Sequence, residues 1–544
     1  MYLYSYENLK RIIQTEKGQA YVKYLQDYYN EHYANEPILA LKYSYAKLFH
    51  VDGNRTKFEA MYFDRRRRLM VLQVLAIADD AYIEPLEDIL SAICDEFTWV
   101  APAHAASYLI DLFAAETSMY LSETAYVMQD RLSQEIRNRI YKSLENKIIN
   151  IYENNRFFWD TTQRSNWDAV CAAGVGAAYL YLFPERFPAV KDRLLNTFQL
   201  YLESIDEEGY STEGYRYWVY GFGFFCLFFD LYEQLTSEHA AVLDSKLIKN
   251  MVSYGQNAIL DKDILLPYAD GGSKGSGSPA VTICTIERMF DVNLYFSEEE
   301  LFYASTQALG YRVLTSLEKA HPPKGNEVET VFYKNSQVFI RQNGNYVFTV
   351  KGGHNNECHN HNDVGAFAII QNGKQYVADV GVGEYTKQYF KAEYRYGIFP
   401  CSSLSHSVPI VDGKAQAPGE EYCADLLAQD ETSVTLDLAK AYKDGATNLI
   451  TEYRTDQDGV TVKYRCEGIK EKIVFRFVSF LQPRLVDNKV FIENMEIVSD
   501  LTVCPKLSRQ DYAGYNGKAC VAYIIDYEID KAGDIQADFT FRFQ

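Results

Sequence analysis

The chain of 544 residues has no CxxC pair among its ten cysteines and no apolar stretch approaching the roughly 18 uncharged residues of a membrane-spanning helix. The cysteines are scattered from Cys94 to Cys520, several in apolar runs such as FGFFCLFFD. Disulfide frameworks and zinc ribbons are thereby set aside, and reduced, buried thiols are expected. The start MYLYSYENLKRIIQTEKGQ lacks the apolar core of a signal peptide, which points to a cytoplasmic protein. Positive charge is scarce as well. With 54 basic against 74 acidic residues the formal net charge is −20, which argues against nucleic acid and anionic membranes as partners. The only basic run, Arg65 to Arg68, lies in a helical pattern and reads as a solvated helix face. No fixed sequence period is visible, so a plain repeat array is disfavoured.

At this length the chain exceeds the roughly 250–300 residues over which one core keeps growing, so a multidomain α and β protein is expected. Residues 1–320 carry apolar positions at helical spacing, with candidate helices at 101–128, 131–154, 166–183, 188–205, 215–236, 244–260, 279–291 and 297–319. Ser297-Glu-Glu-Glu300 opens the last with a capping box. Long helices joined by short loops predict antiparallel helix pairs, stacked as a solenoid or closed as a toroid. His321-Pro-Pro-Lys-Gly-Asn326 breaks the pattern and serves as the linker, 321–326. From 327 to 544 the period is two, with hairpin signals at Asn343-Gly344, Asn372-Gly373 and Asp458-Gly459. This half predicts an antiparallel β-sandwich. The 45 tyrosines and 31 phenylalanines chiefly fill cores, while a minority suits sugar-stacking surfaces; Trp159, Trp167 and Trp218 are candidates for such a floor.

Chemistry concentrates in residues 351–413, which hold His354, His359, His361 and His406, four of the nine histidines. In an extended chain His359 and His361 leave the same face and converge on one object, a metal ion or a substrate proton. His361, Asp379 and His406 make a two-imidazole, one-carboxylate set suited to tetrahedral zinc with one open position; histidines hydrogen-bonded within a polar sheet face account for them equally well. Cys358, beside His359, is a further candidate ligand or nucleophile.

The segment GGHNNECHNHNDVGAF, followed by ADVG and by SLSHSVPIVDGK, resembles the C-terminal domain of the heparinase II/III-like polysaccharide lyases, and the α-then-β order of the whole chain is similar to their layout. The resemblance implies an N-terminal (α/α) toroid, residues 1–320, followed by a C-terminal antiparallel β-sandwich, residues 327–544, that contributes the catalytic histidine and a metal site. It implies cleavage of uronate-containing glycans by β-elimination, a carbon–oxygen lyase reaction on polysaccharides that leaves a 4,5-unsaturated uronate. Carried over by position, His359 is the catalytic histidine, and His361, Asp379 and His406 hold a structural zinc. Asn166, in RSNW, binds the uronate carboxylate, and Tyr217, in EGYRYWVYG, is the catalytic tyrosine, with Tyr215 and Tyr220 as alternatives in the same motif. Trp167, Glu213, Tyr215, Tyr220, His354, Asn356 and Arg395 are the candidate substrate-binding side chains.

The reaction asks for these residue types. The C5 proton of a uronate is too weakly acidic to leave unless the adjacent carboxylate is neutralised, which an amide can do by donating hydrogen bonds, while a phenol and an imidazole serve as acid and base. Each assignment has a plainer rival: Asn166 as a helix N-cap, Tyr217 as core, Arg395 as a surface ion pair. Two other enzyme classes compete. A toroid glycoside hydrolase would draw a carboxylate pair from Asp160, Asp168, Asp206 and Glu213, and a metal oxygenase would use the two-histidine, one-carboxylate set. The expected partner is an acidic oligosaccharide or polysaccharide, with glycosaminoglycan- or alginate-derived fragments favoured over densely sulfated heparin, and with self-association as a homodimer allowed for. The spacing also poses a conflict. If His359 meets substrate while His361 anchors zinc, the chain must turn or bulge between them; otherwise all three histidines share the metal.

Overall fold

The computed structural model of the protein describes residues 2–104, 109–261, 264–272, 280–292, 294, 303–317 and 328–544. The 321–326 breaker and the Ser297 capping box lie outside them. The chain forms two compact units. The first comprises Met1–Ile205, Tyr217–Val252 and Ser276–Pro322; the second comprises Asp206–Arg216, Ser253–Gly275 and Pro323–Gln544.

The first unit is helical. Among its helices are Thr56–Ala78, Leu112–Val127, Asn166–Leu182, Phe187–Leu202 and the part of Tyr215–Thr236 that follows Arg216. The helix expected from residue 101 starts only at Leu112, because Asp111 takes the N-cap position and its side chain accepts from the Ala114 amide. Leu112–Val127 packs along Asn166–Leu182, and the approach is close: a Cβ on Gly174 would clash with the Ala115 carbonyl oxygen. The basic run in Thr56–Ala78 is not a solvated face. Arg65 and Arg66 are buried, both donate to Glu96, and Arg66 stacks on Tyr62 at 3.6 Å. A buried carboxylate with two guanidinium partners resolves what would otherwise be a prohibitive desolvation cost.

The second unit is built mainly of antiparallel strands. Val328–Tyr333, Val338–Asn343, Val347–Lys351, Phe367–Gln371 and Lys374–Val377 form a five-stranded meander. The two-residue turn Asn372-Gly373 has both φ angles positive, 53° and 74°, as the sequence signal requires. An eight-stranded sheet, a four-stranded sheet and two two-stranded pairings are also described in this unit. The three larger sheets share one core: Phe367 of the meander meets Phe541 of the eight-stranded sheet at 5.5 Å and Phe477 of the four-stranded sheet at 6.0 Å. The helix expected over 244–260 ends at Asn257, and Ile259–Asp261 pairs with Ile264–Leu265 as a short ribbon. No helix among the described residues is long and apolar enough to cross a membrane.

Candidate active site

The histidine segment is a loop inserted between two paired strands of the meander. At its neck the Gly365 amide donates to the Lys351 carbonyl at 2.7 Å, and the Lys351 amide to the Ala366 carbonyl at 3.0 Å. Below it the buried Lys351 ammonium reaches Asp363 at 2.6 Å and Glu357 at 3.2 Å, so charge pairing ties both ends of the loop together. Burial opposes the ammonium charge, yet the two carboxylates hold the Lys351 pKa above its ordinary value. Two asparagines of the loop are internal struts: Asn355 donates to Gln416 and to the Ala417 carbonyl, and Asn362, in HNHND, to the Gln416 carbonyl.

Within this frame His359 adopts φ +55°, the left-handed region. That turn removes the same-face constraint. His361 and His406 enter the interior, while the His359 side chain keeps 24 % of its surface exposed. Yet His359 and His361 meet one object after all, and it is a residue the sequence reading passed over. Asp270 accepts from His359 Nδ1 at 2.7 Å and from His361 Nε2 at 2.9 Å, across 89 and 91 positions of sequence. It also accepts from Tyr385 at 3.2 Å, from Arg395 Nη2 at 3.2 Å and from Tyr389. Burial alone would raise this carboxyl; the hydrogen bonds from His359 and His361, with the Arg395 charge, instead hold it far below the usual carboxylate range. Arg395 is buried, not on the surface. Its remaining donors go to the Asn360 and Tyr389 carbonyls, and its guanidinium lies 4.5 Å from the Tyr389 ring.

Glu213 lies beside Cys358 and His359, and burial raises its pKa against the pull of His359. The Cys358 thiol is pushed up to about 11 by desolvation and by Glu213, which leaves it protonated near neutral pH. His354 sits in a short strand and its Nδ1 accepts from the amide of exposed Asn356.

His361, Asp379 and His406 are all buried, with their ligand atoms within 4.8 Å of one another. His361 spends Nε2 on Asp270, and its Nδ1 has no hydrogen-bond partner among the described residues. His406 spends Nε2 on the Pro400 carbonyl at 3.2 Å and turns Nδ1 to Asp379 Oδ2 at 2.9 Å, while Asp379 Oδ1 accepts from the Gly381 amide. Both imidazoles are thus anchored through one nitrogen and present the other to the shared space, the arrangement typical of metal-ligating histidines. The donor set fits zinc. Without a metal, burial disfavours the charged His361 ring, but Asp270 together with the Cys401 thiol outweighs it and the pKa is pushed up to about 10, so a metal entering here displaces a proton.

In the helical unit Ser165, not Asn166, is the N-cap: its hydroxyl accepts from the Trp167 amide, and Asp168 completes the capping box. Asn166 is the first helical residue and is buried. Its Cβ lies 3.1 Å from where a Cβ on Gly221 would be. Tyr217 precedes Gly221 by one turn on the same helix face, so the structure brings Asn166 and Tyr217 to one side of this unit. Tyr217 is partly exposed, whereas Tyr215 is buried and Tyr220 donates to Glu116. Trp159 and Trp218 are core residues; Trp167 alone of the three is partly exposed, against His104 at 4.8 Å. Asp160 is taken by Arg193 and the Phe157 amide, Asp168 by its cap, and Asp206 by Asn335.

A helical unit and a unit of antiparallel sheets with a shared core make up this chain, which has the fold of the heparinase-like polysaccharide lyases. A crystal structure of heparinase III aligns over 99 % of this chain and 92 % of its own, with TM-score 0.61 and 13 % identity. A mutant heparan sulfate lyase from Pedobacter heparinus aligns over 89 % and 77 %, with TM-score 0.58 and 14 % identity. A chondroitin AC lyase from Streptomyces coelicolor A3, in complex with chondroitin sulphate, aligns over 98 % and 82 %, with TM-score 0.59 and 10 % identity. No family model and no curated protein matches the chain.

Proposed function

We propose that the protein is a lyase that cleaves uronate-containing glycans of the glycosaminoglycan or alginate type by β-elimination, within a toroid-plus-sandwich architecture. The observation that carries this reading is the Asp270 clamp. By accepting from His359 Nδ1 it fixes the ring's tautomer and aim, which leaves Nε2 as the nitrogen that exchanges a proton. In the proposed reaction the amide of Asn166 donates to the uronate carboxylate, so that charge developing there as C5 is deprotonated is stabilised. His359 Nε2 takes the C5 proton, the electron pair forms the C4–C5 double bond, and the C4–oxygen bond breaks. The Tyr217 hydroxyl gives its proton to the departing glycosidic oxygen. With the opposite epimer at C5 the two residues exchange duties. Two of the solved structures named above are a heparan sulfate lyase and a chondroitin AC lyase in complex with chondroitin sulphate, and that supports a glycosaminoglycan as substrate class.

His361, Asp379 and His406 would hold zinc, which supplies a cross-link among three chain segments and takes no part in proton transfer. Burial of all three residues favours this structural role over an oxygenase, whose metal needs positions open to substrate and oxygen. The hydrolase reading weakens for a parallel reason, since Asp160 and Asp206 each have both oxygens engaged by neighbouring donors.

Incubation with uronate oligosaccharides is expected to produce the ultraviolet absorbance of a C4–C5 unsaturated uronate. New reducing ends without that chromophore would replace the lyase by a hydrolase. Elemental analysis of the purified protein is expected to find one zinc per chain. Chelation should lower its unfolding midpoint, and His406→Ala should abolish metal retention. A midpoint indifferent to both chelator and added zinc would rule out the zinc role.

A further inference from the structure

Two loops of the second unit raise a ledge of aromatic rings beside His359. Tyr385 and Phe390 stand on the segment that follows Asp379, and Tyr515 on the turn between the strands Lys506–Ala513 and Ala519–Ile529. The loops are joined by an antiparallel bridge between Gly383 and Gly514. Tyr385 packs edge-on against Phe390 at 4.9 Å and against Tyr515 at 5.5 Å. The His359 ring is 6.4 Å from Tyr385 and 6.5 Å from Phe390. Tyr389, whose hydroxyl donates to Asp270, supports Phe390 from below at 5.6 Å.

The outer rings are not core. Phe390 is 49 % exposed and Tyr515 48 %. Burying such a ring is worth about 1.5–3 kcal/mol, which this fold forgoes at both positions. Exposed aromatics continuous with a reactive group mark a binding surface, because a pyranose offers a flat face of C–H bonds that matches an aromatic face. The exposed charges on the same loops are Lys387, Lys391 and Lys518 against Glu384 and Glu393, close to balance. The grip must therefore come from the rings, not from attraction to a dense array of sulfates.

We propose that this ledge is a glycan subsite in which the sugar next to the cleaved uronate stacks on Phe390 and Tyr515, with Tyr385 as the inner wall. The proposal rests on His359 as the group that meets the uronate. It specifies a weakly charged pyranose as occupant, in accord with the near-balance of the loop charges.

The test uses Phe390→Ala, Tyr515→Ala, the double variant and Phe390→Trp in the full chain, with unsulfated chondroitin oligosaccharides of increasing length as probes. Kinetics are followed by the unsaturated chromophore and binding by titration calorimetry. The double variant is expected to raise KM about tenfold, equivalent to about 1.4 kcal/mol, with kcat within about twofold and KM restored by Phe390→Trp. The penalty should appear only for oligosaccharides long enough to reach the ledge. An unchanged KM and dissociation constant in a folded double variant overturns the subsite while leaving the lyase reading intact. Binding that depends on the ledge but yields no chromophore upholds the subsite and removes the lyase reading. A change of oligomeric state in sedimentation with KM unaltered would mean that the rings bind another copy of the chain, which also overturns the subsite.

Discussion

Asp270→Ala is expected to be the most damaging single substitution in the second unit, costing about 3–5 kcal/mol of stability and most of the activity. The carboxylate is fully buried and accepts from two imidazoles, two phenols and a guanidinium. Its removal leaves Arg395 as an uncompensated buried charge, a larger penalty than the loss of any one hydrogen bond. Activity falls with it, since His359 loses the acceptor that sets its tautomer. Asp270→Asn separates the two effects, because it keeps the shape and removes the charge. Equilibrium denaturation and turnover on the same samples give the comparison; a folded Asp270→Ala variant of wild-type stability would refute the clamp. The pH dependence follows in sign. The folded-state pKa of Asp270 is depressed, so its contribution is complete above the unfolded value of about 3.9 and is lost as pH falls below it. Stability of the wild type should begin to drop below about pH 5 and continue to fall toward the depressed folded-state value, and the Asn variant should lose part of that slope.

His359→Asn is expected to reduce kcat by about 10²–10⁴ and to cost about 1.5–3 kcal/mol of stability through the weakened hydrogen bond to buried Asp270. Asparagine is the informative replacement because position 359 has φ +55°, and asparagine tolerates that region better than alanine, so the loop keeps its turn. The amide cannot take a proton from carbon. Tyr217→Phe should fall by a similar factor, and the double variant should be little worse than either single one if both act in one elimination step. Chromophore formation is the measurement, and full activity in His359→Asn would exclude the imidazole as the reacting base.

The two-part architecture was legible because helical and strand periods are local properties of side-chain order. The division into units was not legible in the same way, for Asp206–Arg216 and Ser253–Gly275 lie in the helical half of the sequence yet join the second unit. Turn chemistry, which is also local, was legible: Asn372-Gly373 and Asn343-Gly344 close hairpins where they were expected. Less legible was anything decided by a partner far along the chain. The four arginines from Arg65 read as a solvated face because nothing local reveals that Glu96 waits in the interior. Arg395 read as surface because its acceptor, Asp270, is 125 positions away.

The histidine pair divides the two sources of information most sharply. From order alone came the residue types, their crowding into 351–413, and the candidate set of His361, Asp379 and His406, which the fold gathers within 4.8 Å. Whether His359 and His361 act together or apart was not decidable from their spacing, since that depends on a backbone angle at one residue. The tertiary structure turned His359 out through a positive φ and then joined both rings to Asp270. A buried carboxylate is tolerable only where several donors converge on it, and that convergence exists only once segments about 90 residues apart have folded against one another.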